Sequence, residues 1–239
     1  LMSDDGACND PPLEGQKQVQ VTAAEAVALA VELHKAGRLE EADGIYRRIL
    51  EAIPDQVDAL HFHGLLLYQQ RETAAGIQAV RRAIELQPDY AEALNNLGNM
   101  LKETGDDEAA LETYRCVIAL RPDHADSYSN LGVLLRKRGR TAEALEAYQQ
   151  AIKLDAHHAD ALHNLGNLLQ GLSRWDEAAA AYRKALAYRP NRDDTYAELG
   201  RTYCRAGRLD EAARLYRDWL ERDPANPIAQ HLAAAVSGG

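Results

Sequence analysis

An all-α solenoid of stacked helix–turn–helix units is the fold this sequence predicts, on three observations. The first is a strict period. Gly64, Gly98, Gly132, Gly166 and Gly200 step by 34 residues. So do Ala42, Gly76, Ala110, Ala144, Ala178 and Ala212, and so do Tyr46, Val80, Tyr114, Tyr148, Tyr182 and Tyr216, with no insertion or deletion between copies. A fixed period of about 20–50 residues marks an array whose core is renewed at each unit. The second is composition: Ala and Leu abound, Phe occurs once and β-branched residues are sparse, which favours helix over strand.

The third observation lies inside one period. In residues 91–124, Leu94, Leu97 and Leu101 recur at helical spacing until Gly105-Asp106 breaks the pattern. Ala109, Ala110, Tyr114, Val117 and Ile118 resume it, and Pro122 closes it. That is two short amphipathic helices joined by a tight turn. Gly98 sits mid-helix, where it costs about 1 kcal/mol relative to Ala. Its recurrence predicts a close approach of two helices, with Ala110 small for the same reason and Tyr114 filling the space between repeats.

Taken in order, residues 1–21, with Asp4, Asp5, Pro11 and Pro12, read as a disordered tail. Repeats occupy 22–226, in copies 23–56, 57–90, 91–124, 125–158, 159–192 and 193–226. The first opens on a capping box, Thr22 to Glu25, and has Ala30 in the Gly column. The second departs most, with Arg71 at the turn, Val80 for Tyr, and His63 where Leu97, Leu131 and Leu165 stand elsewhere. The fourth has Ala156 in place of Pro. In the sixth, Trp219 replaces the Ala of Ala83, Ala151 and Ala185, which implies a different next neighbour. That neighbour is 227–236, where Ile228, Leu232 and Val236 make one apolar stripe of a capping helix. Residues 237–239 are a frayed end.

Charge and composition exclude several function classes. The formal net charge is −10, which opposes binding to nucleic-acid backbones. The charge is uneven: residues 91–124 hold 3 Lys/Arg against 7 Asp/Glu, whereas residues 125–192 hold 10 against 7. Solvated helix faces account for that distribution more simply than an acidic-ligand patch. Cys8, Cys116 and Cys204 form no CxxC pair and are odd in number, which fits a reduced, cytoplasmic compartment. No apolar run approaches membrane-spanning length, so no membrane partner is expected. No phosphate loop, nucleophile elbow or HExxH occurs; no catalytic residue and no cofactor are predicted. His124-Ala-Asp126 and His157-His158-Ala-Asp160, with His163 one turn on, invite a metal reading. They recur because the repeat seam recurs, with Tyr90 and Asn226 at matching places, so no metal is predicted.

Small-residue, Ala, aromatic and Pro columns in a 34-residue helix–turn–helix resemble the tetratricopeptide repeat over residues 23–226. The resemblance implies a right-handed α-solenoid whose first helices line a concave groove for a peptide or a partner protein. On that geometry the groove residues are His61, Phe62, Asn95, Asn96, Asn99, Lys102, Ser129, Asn130, Arg136 and Lys137. In the last two repeats they are His163, Asn164, Asn167, Gln170, Glu198, Arg201 and Arg205. Asn96, Asn130 and Asn164 form an expected ladder; each amide carries both a donor and an acceptor for a peptide backbone. A carboxylate clamp is disfavoured, because Asn95, Asp160 and Asn164 stand where it needs Lys or Arg.

The expected function is therefore a non-catalytic interaction module. The alternative is the substrate-recruiting region of a larger enzyme. The Asn-lined repeats are similar to the arm of O-linked N-acetylglucosamine transferases, and the C-terminal end resembles the junction in bacterial repeat-linked SAM-dependent methyltransferases. Self-association through an exposed end repeat is a further expectation.

Overall fold

A computed structural model describes residues 22–237; the tail expected at 1–21, Cys8 and the last two glycines lie outside the described residues. Thirteen helices and no strand occur among the described residues. They are α1 (Ala23–Lys35), α2 (Leu39–Ala52), α3 (Val57–Gln69), α4 (Thr73–Leu86), α5 (Ala91–Thr104), α6 (Asp107–Leu120) and α7 (Ala125–Lys137). There follow α8 (Thr141–Leu154), α9 (Ala159–Gly171), α10 (Trp175–Tyr188), α11 (Asp193–Arg205), α12 (Leu209–Arg222) and α13 (Pro227–Ser237). Each helix packs on its chain neighbour, and odd-numbered helices also pack on one another, α1 on α3, α3 on α5, α7 on α9 and α9 on α11. The result is a right-handed solenoid with its odd-numbered helices along one face.

Local chemistry sets the element ends. Thr22 Oγ1 accepts from the Glu25 N–H at 3.2 Å and Glu25 Oε2 accepts from the Thr22 N–H at 2.8 Å, completing the capping box. Between the two helices of each unit the chain passes through the left-handed region, at Gly37, Arg71, Gly105, Gly139, Ser173 and Gly207. Arg71 at φ 72° takes the conformation that its glycine counterparts adopt freely, at a cost of about 1–2 kcal/mol.

The core is renewed along the stack in three clusters, over Val27–Leu66, Val80–Leu168 and Leu169–Ala229. Tyr46, Tyr114, Tyr148, Tyr182 and Tyr216 are all buried, and burying a side chain of that size is worth about 2–3 kcal/mol. The recurrent glycine has a different cause from the one expected. A β-carbon on Gly132 would lie 2.7 Å from Cε1 of Tyr148, and one on Gly166 would lie 2.6 Å from Cε1 of Tyr182. It is the tyrosine ring of the same repeat, laid on bare backbone, that excludes a side chain. The second repeat solves the same problem differently. Val80 leaves room that a ring would fill, and with Gly76 in place of Ala the two backbones close in. A β-carbon on Gly64 would stand 2.8 Å from the Gly76 carbonyl oxygen.

The two ends of the stack differ. Trp219 is buried against Ala229, with Leu232, Ala233 and Val236 partly buried beside it, so α13 covers the last repeat. Two details of the expected cap are corrected: Ile228 points outward at 47 % exposure while Ala229 faces in, and the helix includes Ser237. At the other end Leu29 is 54 % exposed, whereas its counterparts Leu97 and Leu199 are buried by the preceding repeat. Ala23, Leu29, Ile45, Ile49 and Ile53 there form an open apolar face.

Alanine at two glycines separates these effects. Gly44 lies mid-helix with nothing within 4 Å of a new β-carbon, so Gly44→Ala stabilises by about 0.5–1 kcal/mol. Gly132→Ala drives a methyl into a ring that cannot retreat, and overpacking of about 1–3 kcal/mol outweighs the gain in helix propensity. Urea unfolding of both variants measures the opposite signs.

Candidate functional site

The odd-numbered helices bring several of the expected residues together. Asn95, Asn99 and Lys102 from α5, Ser129 and Asn130 from α7, and Asn164 from α9 line one recess of about 410 Å³. Asp126, Val133, His158 and Asp160 complete its wall. Within it the polar groups are linked. Tyr114 Oη donates to Asn99 Oδ1 at 2.7 Å, Asn130 Nδ2 donates to the same oxygen at 3.2 Å, and Lys102 Nζ donates to Asn130 Oδ1 at 2.7 Å. The chain fixes both amides, because a lysine can only donate. Asn99 is left with its NH₂ free for the recess. Burial pushes the Lys102 ammonium below its ordinary value, partly offset by Glu103.

The same tyrosine-to-asparagine bond recurs where the sequence permits it. Tyr182 Oη donates to Asn167 Oδ1 at 2.6 Å. In the fourth repeat Val133 occupies the corresponding place, and Tyr148 Oη has no hydrogen bond of good geometry. Burial pushes that hydroxyl up, with the Arg136 guanidinium partly offsetting the shift.

Other expected residues lie elsewhere. His61 is fully buried and His163 is 6 % exposed, so neither presents a surface to a partner; Ser129, at 4 %, contributes only an edge of the recess. The two histidines face the seam with the next repeat. His61 Nδ1 meets Tyr90 Oη at 3.1 Å, Tyr90 donates to Asp58 at 3.0 Å, and Asn96 Nδ2 meets His61 Nε2 at 2.9 Å. Asn96 thus turns back to the preceding repeat, away from the recess wall that Asn130 and Asn164 share. His163 Nδ1 meets Thr195 Oγ1 at 2.8 Å. Phe62 packs beside the N-terminal core cluster, its ring 4.6 Å from that of His61.

Gln170 donates to Glu198 and Thr202, and Arg201 pairs with Glu198 at 2.7 Å, a network of their own between α9 and α11. Arg205 lies 5.9 Å over the Trp175 ring. The basic run Arg136 to Arg140 is largely neutralised: Lys137 pairs with Asp107, Arg138 with Glu108 and Arg140 with Glu143.

The seam explains the histidines. His124 Nδ1 accepts from the Ser127 N–H and His158 Nδ1 from the Ala161 N–H, both at 3.2 Å, so each ring caps the next helix. His158 Nε2 then faces Asp126 at 3.0 Å, 32 residues back, as Tyr90 faces Asp58 and Arg192 faces Asp160. Reading each copy alone hides this acid–donor register. The signal is an acid at the second place of five repeats: Asp58, Glu92, Asp126, Asp160 and Asp194. Among the described residues no group of three His, Cys, Asp or Glu side chains is placed to hold a metal ion, and no helix is long and apolar enough to cross a membrane.

A stack of helix pairs with a polar recess on one face defines a helical-repeat scaffold of the kind that engages other proteins. Sequence models described as tetratricopeptide repeat match residues 57–90, 89–157 with 123–191, and 169–236, so the chain belongs to the tetratricopeptide-repeat family. No curated protein matches the sequence significantly. Among solved structures, the chain resembles PilF of Pseudomonas aeruginosa, at TM-score 0.77 and 20 % identity over 89 % of this chain and 97 % of that one. PilW, a type IV pilus biogenesis factor, gives TM-score 0.78 and 16 % identity over 91 % and 99 %. YrrB, described as having an unusual peptide-binding site, gives 0.61 and 20 % over 78 % and 96 %. At these identities the likeness is one of fold. The matches establish the repeat; they do not extend to a glycosyltransferase or methyltransferase context.

The buried imidazole gives a pH signature. Burial holds the folded-state pKa of His61 down to about 4, against about 6.5 when unfolded. Between those values the unfolded chain binds a proton that the native chain does not, so stability present above about pH 6.5 is lost as pH falls towards 4. His163, also pushed down by burial, adds in the same direction. Urea unfolding at about pH 7 and pH 5 is expected to differ by about 2 kcal/mol from His61 alone, a difference that His61→Gln removes.

Proposed function

We propose that this chain is a protein-interaction scaffold that holds an extended peptide or partner segment along its odd-numbered helices and performs no chemistry of its own. One observation carries the reading: Asn95, Asn99, Asn130 and Asn164, from three successive repeats, converge on one recess with amide groups left over after internal bonding. An amide can both donate to a peptide carbonyl and accept from a peptide N–H, so such a row suits a backbone whatever its side chains. The fold shared with YrrB supports the reading. Asn130→Ala with Asn164→Ala is expected to weaken partner capture at least about tenfold, a loss of about 1.4 kcal/mol, with unchanged circular dichroism. Undiminished capture would place the binding surface elsewhere.

Self-association through the first repeat is a second reading, favoured by the exposed Leu29 and Ile53. Light scattering at rising concentration is expected to show mass growth that Leu29→Lys abolishes; a constant monomer mass counts against it.

A further inference from the structure

The face that carries the recess is electrically polarised across its width. Helix α5 has Glu92 in its first turn and Lys102 in its last; α7 has Asp126 in its first turn and Arg136 with Lys137 in its last. Further along, α9 begins with Asp160, and α11 begins with Asp193 and Asp194 and ends with Arg205. These helices run side by side in one direction, so acids gather on one rim and bases on the other. Ten residues separate Glu92 from Lys102 and Asp126 from Arg136, which is about 15 Å along a helix.

The helix dipole accounts for the signs of these charges. It does not account for their lack of partners. Towards the C-terminal end the acidic rim is neutralised, Asp160 by Arg189 and Arg192 and Asp194 by Arg192, while Arg205 of the basic rim lies over the Trp175 ring. In the two central repeats, Glu92, Lys102 and Arg136 have no opposite charge within ion-pair distance among the described residues. Asp126 faces only the His158 imidazole. That ring's side chain is 9 % exposed in the recess wall, and its Nε2 lies off the line of a hydrogen bond. Lys102 is the clearest case, half-buried and bonded only to a neutral amide oxygen. A desolvated cation whose neighbouring acid, Glu103, stands outside ion-pair distance is costly, and an anion supplied from outside relieves it.

An extended peptide sends successive side chains to opposite sides. Laid along the stack with its pleat across the groove, it directs alternate side chains to the two rims. We propose that the central groove selects an extended peptide in which acidic and basic side chains alternate, the acids meeting Lys102 and Arg136 and the bases meeting Glu92 and Asp126. Its backbone lies over the amides of Asn99, Asn130 and Asn164; in this the proposal rests on the scaffold reading above.

Fluorescence anisotropy with the whole chain and three peptides of equal length tests it. One alternates Glu and Lys, one has the same composition with all Glu preceding all Lys, and one is built of Ser and Gln. The alternating peptide is expected to bind at least about tenfold more tightly than the block peptide, an advantage that shrinks towards 1 M salt. Lys102→Glu with Arg136→Glu makes both rims acidic, and is expected to lose the alternating peptide and gain one that alternates Lys with Ser. Lys102→Gln with Arg136→Gln, checked by circular dichroism, gives the same loss without charge reversal. Equal binding of alternating and block peptides, abolished by Asn130→Ala with Asn164→Ala, overturns the charge pattern and leaves the groove. Equal binding that survives those two substitutions, or no binding of any peptide, overturns the groove reading as well.

Discussion

The third to sixth repeats each close on themselves through one contact, a tyrosine ring from the second helix laid on the unsubstituted glycine backbone of the first. The contact sets how near the two helices come and therefore the thickness of the unit. It also fixes where the ring's hydroxyl emerges. In the third and fifth repeats that hydroxyl reaches the open face and holds Asn99 or Asn167. The same tyrosine that fills the core thus orients a polar group on the surface, and core and site are two ends of one side chain. Where Val133 replaces the asparagine, the hydroxyl stays buried and the surface at that point is apolar.

Contacts between repeats use a separate chemistry. An acid near the start of one odd-numbered helix faces a donor just before the next, from Asp58 with Tyr90 to Asp193 with Asn226. Such pairs are partly exposed, and each contributes modestly to stability. Their effect is on register: they tie neighbours together without adding bulk, so the stack keeps its pitch while residue identity varies.

The period made the fold legible. Spacing of Leu94, Leu97 and Leu101, a breaker, then Ala110 and Tyr114 leaves little freedom for anything except paired helices. The site was legible only in part. Position within the repeat indicates which side of a helix a residue occupies, and it placed Asn95, Asn99, Lys102, Asn130 and Asn164 on the wall of the recess. It does not indicate what the preceding or following repeat lays over that residue. His61 and His163 are buried for that reason, and Asn96 bonds to His61, each engaged by a neighbour some 30 residues away in the chain. Gly98 shows the same limit inside a unit: the sequence demands a small residue there without saying whether backbone or ring requires it.

The uncovered Leu29 gives the stack a direction. At the far end α13 shields Trp219. At the near end the exposed face carries Ile45 and Ile53 where internal copies have Ala147 and Asp155, so it is more apolar than the repeat pattern requires. Anything packed on that face would bury apolar side chains there. The two ends of the stack are thus unlike, one presenting apolar side chains and the other covered by α13, and neither lies on the groove.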